Sequence, residues 1–164
     1  YAIIRVMKIK KSTGYWLISV GSVSTTAVLG WLFTSKSIIN WYPTIFKPIF
    51  TPPNWLFGPA WTILYGMMIF ALNIVLNSSP TKQRQKVINL FYLQLFFNAL
   101  WSLVFFRFHL IGTGLIIMAI LWILIYLNMT NTNKFSITAG WLLIPYLLWV
   151  SLALVLNYSI WILN

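Results

Sequence analysis

The sequence contains no aspartate and no glutamate among its 164 residues, although it has eleven lysines and arginines. Without side-chain carboxylates, the chain offers no acidic general base, no acidic ligands for a hard cation and no acidic proton relay. Enzyme mechanisms that depend on paired carboxylates are therefore excluded.

Cysteine is also absent, and histidine occurs once, at His109. The lack of thiols excludes thiolate nucleophiles, disulfides, iron–sulfur clusters and cysteine-ligated zinc. A single imidazole without an acidic partner makes a poor site, so we interpret His109 as a solvated interfacial residue, with a metal or haem ligand as the alternative. We expect no metal site.

Long apolar runs dominate the sequence instead. Hydrophobic residues make up 60% of the chain and charged residues 7%, which is more apolar surface than a soluble domain of this length can bury. A membrane-spanning helix needs about 20 mainly apolar residues, and five such segments occur, at residues 14–34, 53–76, 87–106, 110–129 and 138–162. They predict an all-α integral membrane protein, a bundle of five transmembrane helices in a single domain over residues 1–164.

The first segment follows a basic stretch, which is also typical of a cleaved signal peptide. No small-residue cleavage site of the Ala-x-Ala kind follows the apolar run, so an uncleaved span is favoured over that alternative.

The basic residues are divided unequally between the two ends of the predicted helices. Eight lie on the side of the N-terminus (Arg5, Lys8, Lys10, Lys11, Lys82, Arg84, Lys86 and Lys134), and three lie on the other side (Lys36, Lys47 and Arg107). The positive-inside rule places the N-terminus in the cytoplasm and the loop between the first two spans outside. The basic residues form no stripe that would predict nucleic-acid binding, and they can pair with anionic headgroups.

The loop leading into the second span has an unusual composition. The stretch WYPTIFKPIFTPPNWLFGPAWTILY, residues 41–65, contains five of the seven prolines and three of the ten tryptophans. Proline fixes φ and removes a backbone donor, so this region is predicted to be a rigid loop. A structured, aromatic loop indicates a lid or part of a binding surface.

Polar and aromatic residues recur at helical spacing within three spans. The sets are Gln94, Asn98 and Ser102 with Trp101; Trp141, Pro145, Trp149, Ala153 and Asn157; and the small residues Gly58, Thr62 and Gly66. Interhelical packing and hydrogen bonding explain such stripes, and a pocket lined by rings and a few polar groups is the alternative. Pro145 within a span predicts a kink that borders a cavity.

These motifs resemble those of the tryptophan-rich sensory protein and translocator protein family, also called the peripheral benzodiazepine receptor family. The matching residues are Trp41-Tyr42, Lys47-Pro48, Pro52-Pro53-Asn54-Trp55, Gly58-Pro59, Trp61-Thr62, Leu64-Tyr65, Gln94-Leu95, Asn98, Trp101-Ser102, Phe105-Phe106, Pro145-Tyr146-Leu147, Trp149, Ala153 and Leu156-Asn157. The resemblance implies a five-helix bundle, commonly a homodimer, whose first loop covers a pocket. In this family the pocket binds porphyrins and, in animal members, cholesterol and synthetic isoquinoline or benzodiazepine ligands.

The resemblance also implies the ligand-binding residues. They are Tyr42, Pro52, Trp61, Tyr65, Asn98, Trp101, Ile117, Trp149 and Ala153. Ile117 stands where the family usually has an acidic residue, so a role of that carboxylate is lost. The animal sterol motif needs a basic residue where this chain has Ile162, which argues against sterol binding through that motif.

The expected function is that of a membrane receptor or carrier for tetrapyrroles, with porphyrin or haem as ligand, no required cofactor, and a role in transport or stress sensing. Trp61, Trp101 and Trp149 would stack on the ring, and Lys36 or Lys47 would meet its carboxylates. One alternative is an enzyme, since some bacterial relatives degrade protoporphyrin in light with two tryptophans that correspond to Trp61 and Trp149. A membrane scaffold is another. The Ile-, Asn- and Lys-rich composition favours a bacterial inner membrane, with the mitochondrial outer membrane as the alternative.

Overall fold

The computed structural model describes the backbone of residues 2–164 and the side chains of residues 12–164. The basic side chains Arg5, Lys8, Lys10 and Lys11, which contribute to the topology prediction, lie outside the described residues.

Helices account for most of the described chain, and no strand occurs in it. They are α1 (Ala2–Thr34), α2 (Ser37–Asn40), α3 (Asn54–Asn77), α4 (Lys82–Ser102), a π-helical turn (Leu103–Arg107), α5 (Ile111–Phe135), α6 (Ile137–Trp141) and α7 (Ile144–Leu163). Five helical stretches are long and apolar enough to cross a membrane. The predicted all-α membrane fold is therefore confirmed, and the ends of the observed spans differ from the predicted ones by one to six residues.

Local sequence explains where several helices begin. The helix α3 starts directly after Pro53, whose backbone is extended (φ −62°, ψ 144°). The hydroxyl of Thr81 caps α4 by accepting a hydrogen bond from the Arg84 amide at 3.0 Å. The prolines of residues 43–53 thus separate the first two spans with a non-helical loop, as predicted.

The last span is interrupted rather than kinked within one helix. The short helix α6 ends at Trp141, and α7 begins at Ile144 with Pro145 in its first turn. The missing amide hydrogen of proline costs little in the first turn, where no intrahelical acceptor is available. Pro145 is therefore at the start of a helix, not in its interior.

The bundle places α5 against both α4 and α7, and α1 against α3 and α4. The guanidinium of Arg84 donates to the carbonyls of Val75 at 3.1 Å and Leu76 at 2.8 Å. These carbonyls are in the last turn of α3, where the Ser78 amide also donates to the Val75 carbonyl at 3.2 Å, so Arg84 joins the end of α3 to the start of α4.

Candidate ligand-binding cavity

A cavity of about 520 Å³ lies at the end of the bundle where α1 ends and α3 begins. Its wall is formed by α1, α2, α3, the end of α4 with the following π-helical turn, and α7. Seven of the lining residues are aromatic: Trp31, Phe57, Trp61, Tyr65, Trp101, Phe106 and Trp149. This size and composition are typical of sites for apolar small molecules.

The aromatic rings of the wall hold one another in place. Trp61 stacks on Tyr65, with ring centroids 5.3 Å apart and planes at 28°. One turn earlier in α3, Phe57 meets Trp149 of α7 edge to face at 5.9 Å and 76°. Such contacts restrict ring rotation, so Trp61 and Trp149 present defined surfaces to the cavity.

Beneath the wall, a chain of hydrogen bonds connects three helices. The Tyr65 hydroxyl donates to Asn98 Oδ1 at 3.0 Å, and Asn98 Nδ2 donates to the Tyr146 hydroxyl at 2.9 Å. Nearby, Trp101 Nε1 donates to Asn157 Oδ1 at 3.1 Å. Asn98 and Asn157 are both 2% exposed, so their amides act on the cavity by orienting Tyr65 and Trp101.

The first loop, residues 41–53, is fixed to the bundle by its aromatic side chains. Trp41 stacks on His109 with centroids 4.2 Å apart and planes at 15°. Tyr42 is 2% exposed and packs against Phe57 and Phe106. Burial raises the pKa of Tyr42 to about 12, because a phenolate would lose its hydration there.

Two polar side chains stabilise the same loop. Lys47 Nζ donates to the carbonyls of Tyr42 at 2.5 Å and Ile45 at 3.0 Å, and it lies 4.9 Å from the centroid of the Tyr42 ring. The amide of Asn164 donates to the Phe46 carbonyl and accepts from the Phe46 amide, both at 3.0 Å. The ammonium of Lys47 is therefore engaged by the loop itself.

The residues predicted from the sequence fall into two groups. Trp61, Tyr65, Trp101, Trp149 and Ala153 all line the cavity. Four others do not, and they are Tyr42, Pro52, Asn98 and Ile117. Tyr42 and Asn98 contact lining residues instead, whereas Ile117 is buried within α5.

The contribution of α1 is missing from the sequence-based prediction. Ala27, Gly30, Trp31 and Thr34 line the cavity from this helix. Their spacing of three and four residues, with small residues facing inward, is a pattern that could have indicated a binding face. At Gly30, an added Cβ would lie 3.5 Å from the Tyr65 hydroxyl oxygen.

The cavity opens at the surface between α1 and α3. Trp31 is 66% exposed at one edge of this opening, and Gly58 and Thr62 are exposed at the other. Further along the same helices, Trp16 and Phe70 meet edge to face at 5.4 Å, so α1 and α3 are in contact there. The exposed lining residues of α1 and α3 therefore leave the cavity open to the surface of the bundle.

None of the described residues that line the cavity is charged. Lys36, one of the two predicted rim cations, is exposed and adjoins the lining residue Ser35. Lys47, the other predicted rim cation, is bonded to the loop carbonyls.

Comparison with known proteins identifies the family of the chain. Residues 16–162 match the model of the TspO/MBR family. The chain is 41% identical over 146 residues to the tryptophan-rich protein TspO of Chlorobaculum tepidum, covering 88% of this chain and 92% of that protein. It is 38% identical to the protein of the same name from Archaeoglobus fulgidus, covering 89% and 94%, and 28% identical to the human translocator protein, covering 81% and 80%.

Proposed function

The chain belongs to the TspO/MBR family of integral membrane proteins, and on this premise we propose that it is a receptor or carrier that binds tetrapyrroles in the aromatic cavity. The observation that carries the proposal is the enclosure of this cavity by Trp61, Trp101 and Trp149. Protoporphyrin is the expected ligand, and haem is a further candidate. The output would be transport or stress sensing.

The chemistry of the wall suits a broad, flat, apolar molecule. Indole and phenol rings stack on the faces of a macrocycle, and each well-placed pair contributes about 0.5–1.5 kcal/mol beyond the burial of area. The carboxylates of a porphyrin occupy one edge, where Lys36 and the hydroxyls of Thr34 and Ser35 are available. We therefore assign the rim cation to Lys36 rather than Lys47. Related flat ligands of the isoquinoline or benzodiazepine type would occupy the same space.

Protoporphyrin titration tests this function. Binding is expected to quench tryptophan fluorescence saturably, and Trp149→Ala is expected to weaken it several-fold. Trp141→Ala is the matched control, since Trp141 is 65% exposed and does not line the cavity. Equal affinities of both variants and the original protein would place the ligand elsewhere.

Light-dependent degradation of protoporphyrin is the second candidate function. Trp61 and Trp149 both line the cavity, and indole is the group there most readily oxidised by one electron. In that reaction the porphyrin would be oxidised and dioxygen reduced. We favour the receptor, because binding requires less of a site than reaction does.

The setting proposed for this function is a homodimer in a bacterial inner membrane, with the N-terminus in the cytoplasm and the first loop on the opposite side. The mitochondrial outer membrane is the alternative. Accessibility of single cysteines introduced at Lys36 and at Lys86 to a membrane-impermeant reagent would determine the orientation, since both side chains are exposed.

A further inference from the structure

A second concave surface lies on the outer face of α4, at the end of the bundle opposite the aromatic cavity. It is a shallow groove of about 470 Å³ lined by Lys82, Gln85, Lys86, Asn89, Leu90 and Leu93. These residues are three or four positions apart, so they share one face of the helix. Lys86 and Trp101 are separated by about 22 Å along the axis at 1.5 Å per residue, so this groove is separate from the cavity.

The charges at this groove are uncompensated within the protein. Lys82 and Lys86 are one helical turn apart, so their ammonium groups repel each other. Both lie near the N-terminus of α4, where the helix dipole disfavours a cation. No aspartate or glutamate exists in the sequence to pair with them.

The neighbouring Arg84, unlike Lys82 and Lys86, has hydrogen-bond partners within the protein. Its guanidinium donates to the carbonyls of Val75 and Leu76 and has a structural partner for its charge. The two lysines extend from the other side of α4 and are exposed. An anion between them would relieve their repulsion and the unfavourable interaction with the dipole together.

The groove also changes from polar to apolar along its length. Gln85 Nε2 donates to Asn89 Oδ1 at 2.8 Å, which leaves the exposed Asn89 Nδ2 as a donor. Leu90 and Leu93 follow within the apolar span. The distance from Lys82 to Leu93 is about 16 Å along the helix axis, enough for a lipid headgroup and the upper part of an acyl chain.

We propose that this groove binds one anionic phospholipid, with its phosphate between Lys82 and Lys86 and an acyl chain along Leu90 and Leu93. The amide of Asn89 donates to the phosphate or glycerol oxygens. A zwitterionic lipid fits less well, because its own cation would face the two lysines. A soluble anion has no acyl chain that could pack against Leu90 and Leu93.

Native mass spectrometry of the full chain in detergent tests this site. Phosphatidylglycerol is expected to form a one-lipid adduct at lower concentration than phosphatidylcholine. Lys82→Gln and Lys86→Gln are each expected to weaken the phosphatidylglycerol adduct about fivefold, since a basic side chain near anionic lipid contributes about 1 kcal/mol. The matched control is Lys134→Gln, which removes an exposed lysine from the last turn of α5, where the dipole favours a cation.

Three outcomes would overturn the proposal. The first is equal affinity for the two lipids, and the second is an equal loss of affinity in Lys134→Gln. The third is displacement of the lipid by inorganic phosphate at equal concentration, which would show that Leu90 and Leu93 add nothing. Protoporphyrin binding is expected to be unchanged in all three lysine variants, so the site is tested independently of the proposed function.

Discussion

Trp41 of the first loop stacks on His109 of the turn between α4 and α5, with ring centroids 4.2 Å apart. His109 has a positive φ of 58°, a conformation that non-glycine residues seldom adopt. Its Nε2 lies 3.4 Å from Ser37 Oγ, so the His109 ring contacts both Ser37 of α2 and Trp41 of the first loop. This stack joins the first loop to a turn far along the chain.

Loss of that stack is expected to loosen the loop without unfolding the bundle. Trp41→Ala removes the contact with His109 and the edge contacts with Phe105 and Phe106. Amide hydrogen exchange of residues 42–51 should become faster by about tenfold or more, equivalent to about 1.4 kcal/mol of local stability. The control is Trp55→Ala, because Trp55 is 72% exposed. Unchanged exchange in Trp41→Ala would contradict the anchoring role.

The sequence predicts the spans well, because a run of about 20 apolar residues has few other solutions. It also predicts a non-helical loop from the prolines of residues 43–53. Which faces of the helices meet is harder to predict, since helices that are apolar on all sides have no amphipathic pattern to orient them. The position of Asn98 between Tyr65 and Tyr146 depends on such pairings and is visible only in the fold, whereas the spacing of small residues in α1 indicates a face without saying which helix it meets.

Asn98 is expected to be important for stability. Asn98→Leu would leave the hydroxyls of Tyr65 and Tyr146 without the partners they have now, at a cost of about 1–3 kcal/mol for the fully buried Tyr146 and less for the partly buried Tyr65. Thermal unfolding in detergent should show a clear loss of stability. Tyr65→Phe, which removes one of these bonds, should cost less. A midpoint for Asn98→Leu equal to that of the original protein would contradict this network.

The ionisation of Tyr42 at high pH tests whether its phenol is buried. Its pKa is about 12 in the folded protein, against about 10 when unfolded. The contribution of Tyr42 to the free energy of unfolding is therefore fully present below pH 10. It declines between pH 10 and 12, because in that range the unfolded state gains a phenolate and the folded state does not. The difference between the tyrosinate absorbance titrations of the original protein and Tyr42→Phe should have its midpoint near pH 12. A midpoint near 10 would show that Tyr42 is solvated.

The part of the cavity next to Gly30 of α1 is expected to be needed for ligand binding. Gly30→Ala should be tolerated, since the added Cβ meets its nearest neighbours at 3.5 and 3.6 Å. Gly30→Phe would extend into the cavity and should reduce protoporphyrin affinity at least tenfold while the helical circular dichroism is retained. Gly21→Phe on the same helix, where nothing lies within 4 Å of an added Cβ, should bind normally. Equal binding by both phenylalanine variants would exclude α1 from the site.

Receptor and enzyme differ in their response to phenylalanine at Trp61 and Trp149. A phenyl ring still stacks on the ligand, so both variants should retain most of the binding. Phenylalanine is much harder to oxidise than indole, so degradation of protoporphyrin in light would stop if it uses these rings. The absorption of bound porphyrin under illumination distinguishes the two. Bleaching by the original protein that disappears in both variants, with binding retained, would establish the enzyme.

The most direct test of the central claim is the affinity of Trp149→Ala for protoporphyrin, measured by fluorescence titration beside Trp141→Ala. Both substitutions remove one indole from the last span, but only Trp149 lines the cavity. Trp149→Ala is expected to lose affinity several-fold or more and Trp141→Ala is expected to lose none, with equal helical content. The same affinity in both variants would contradict tetrapyrrole binding in this cavity.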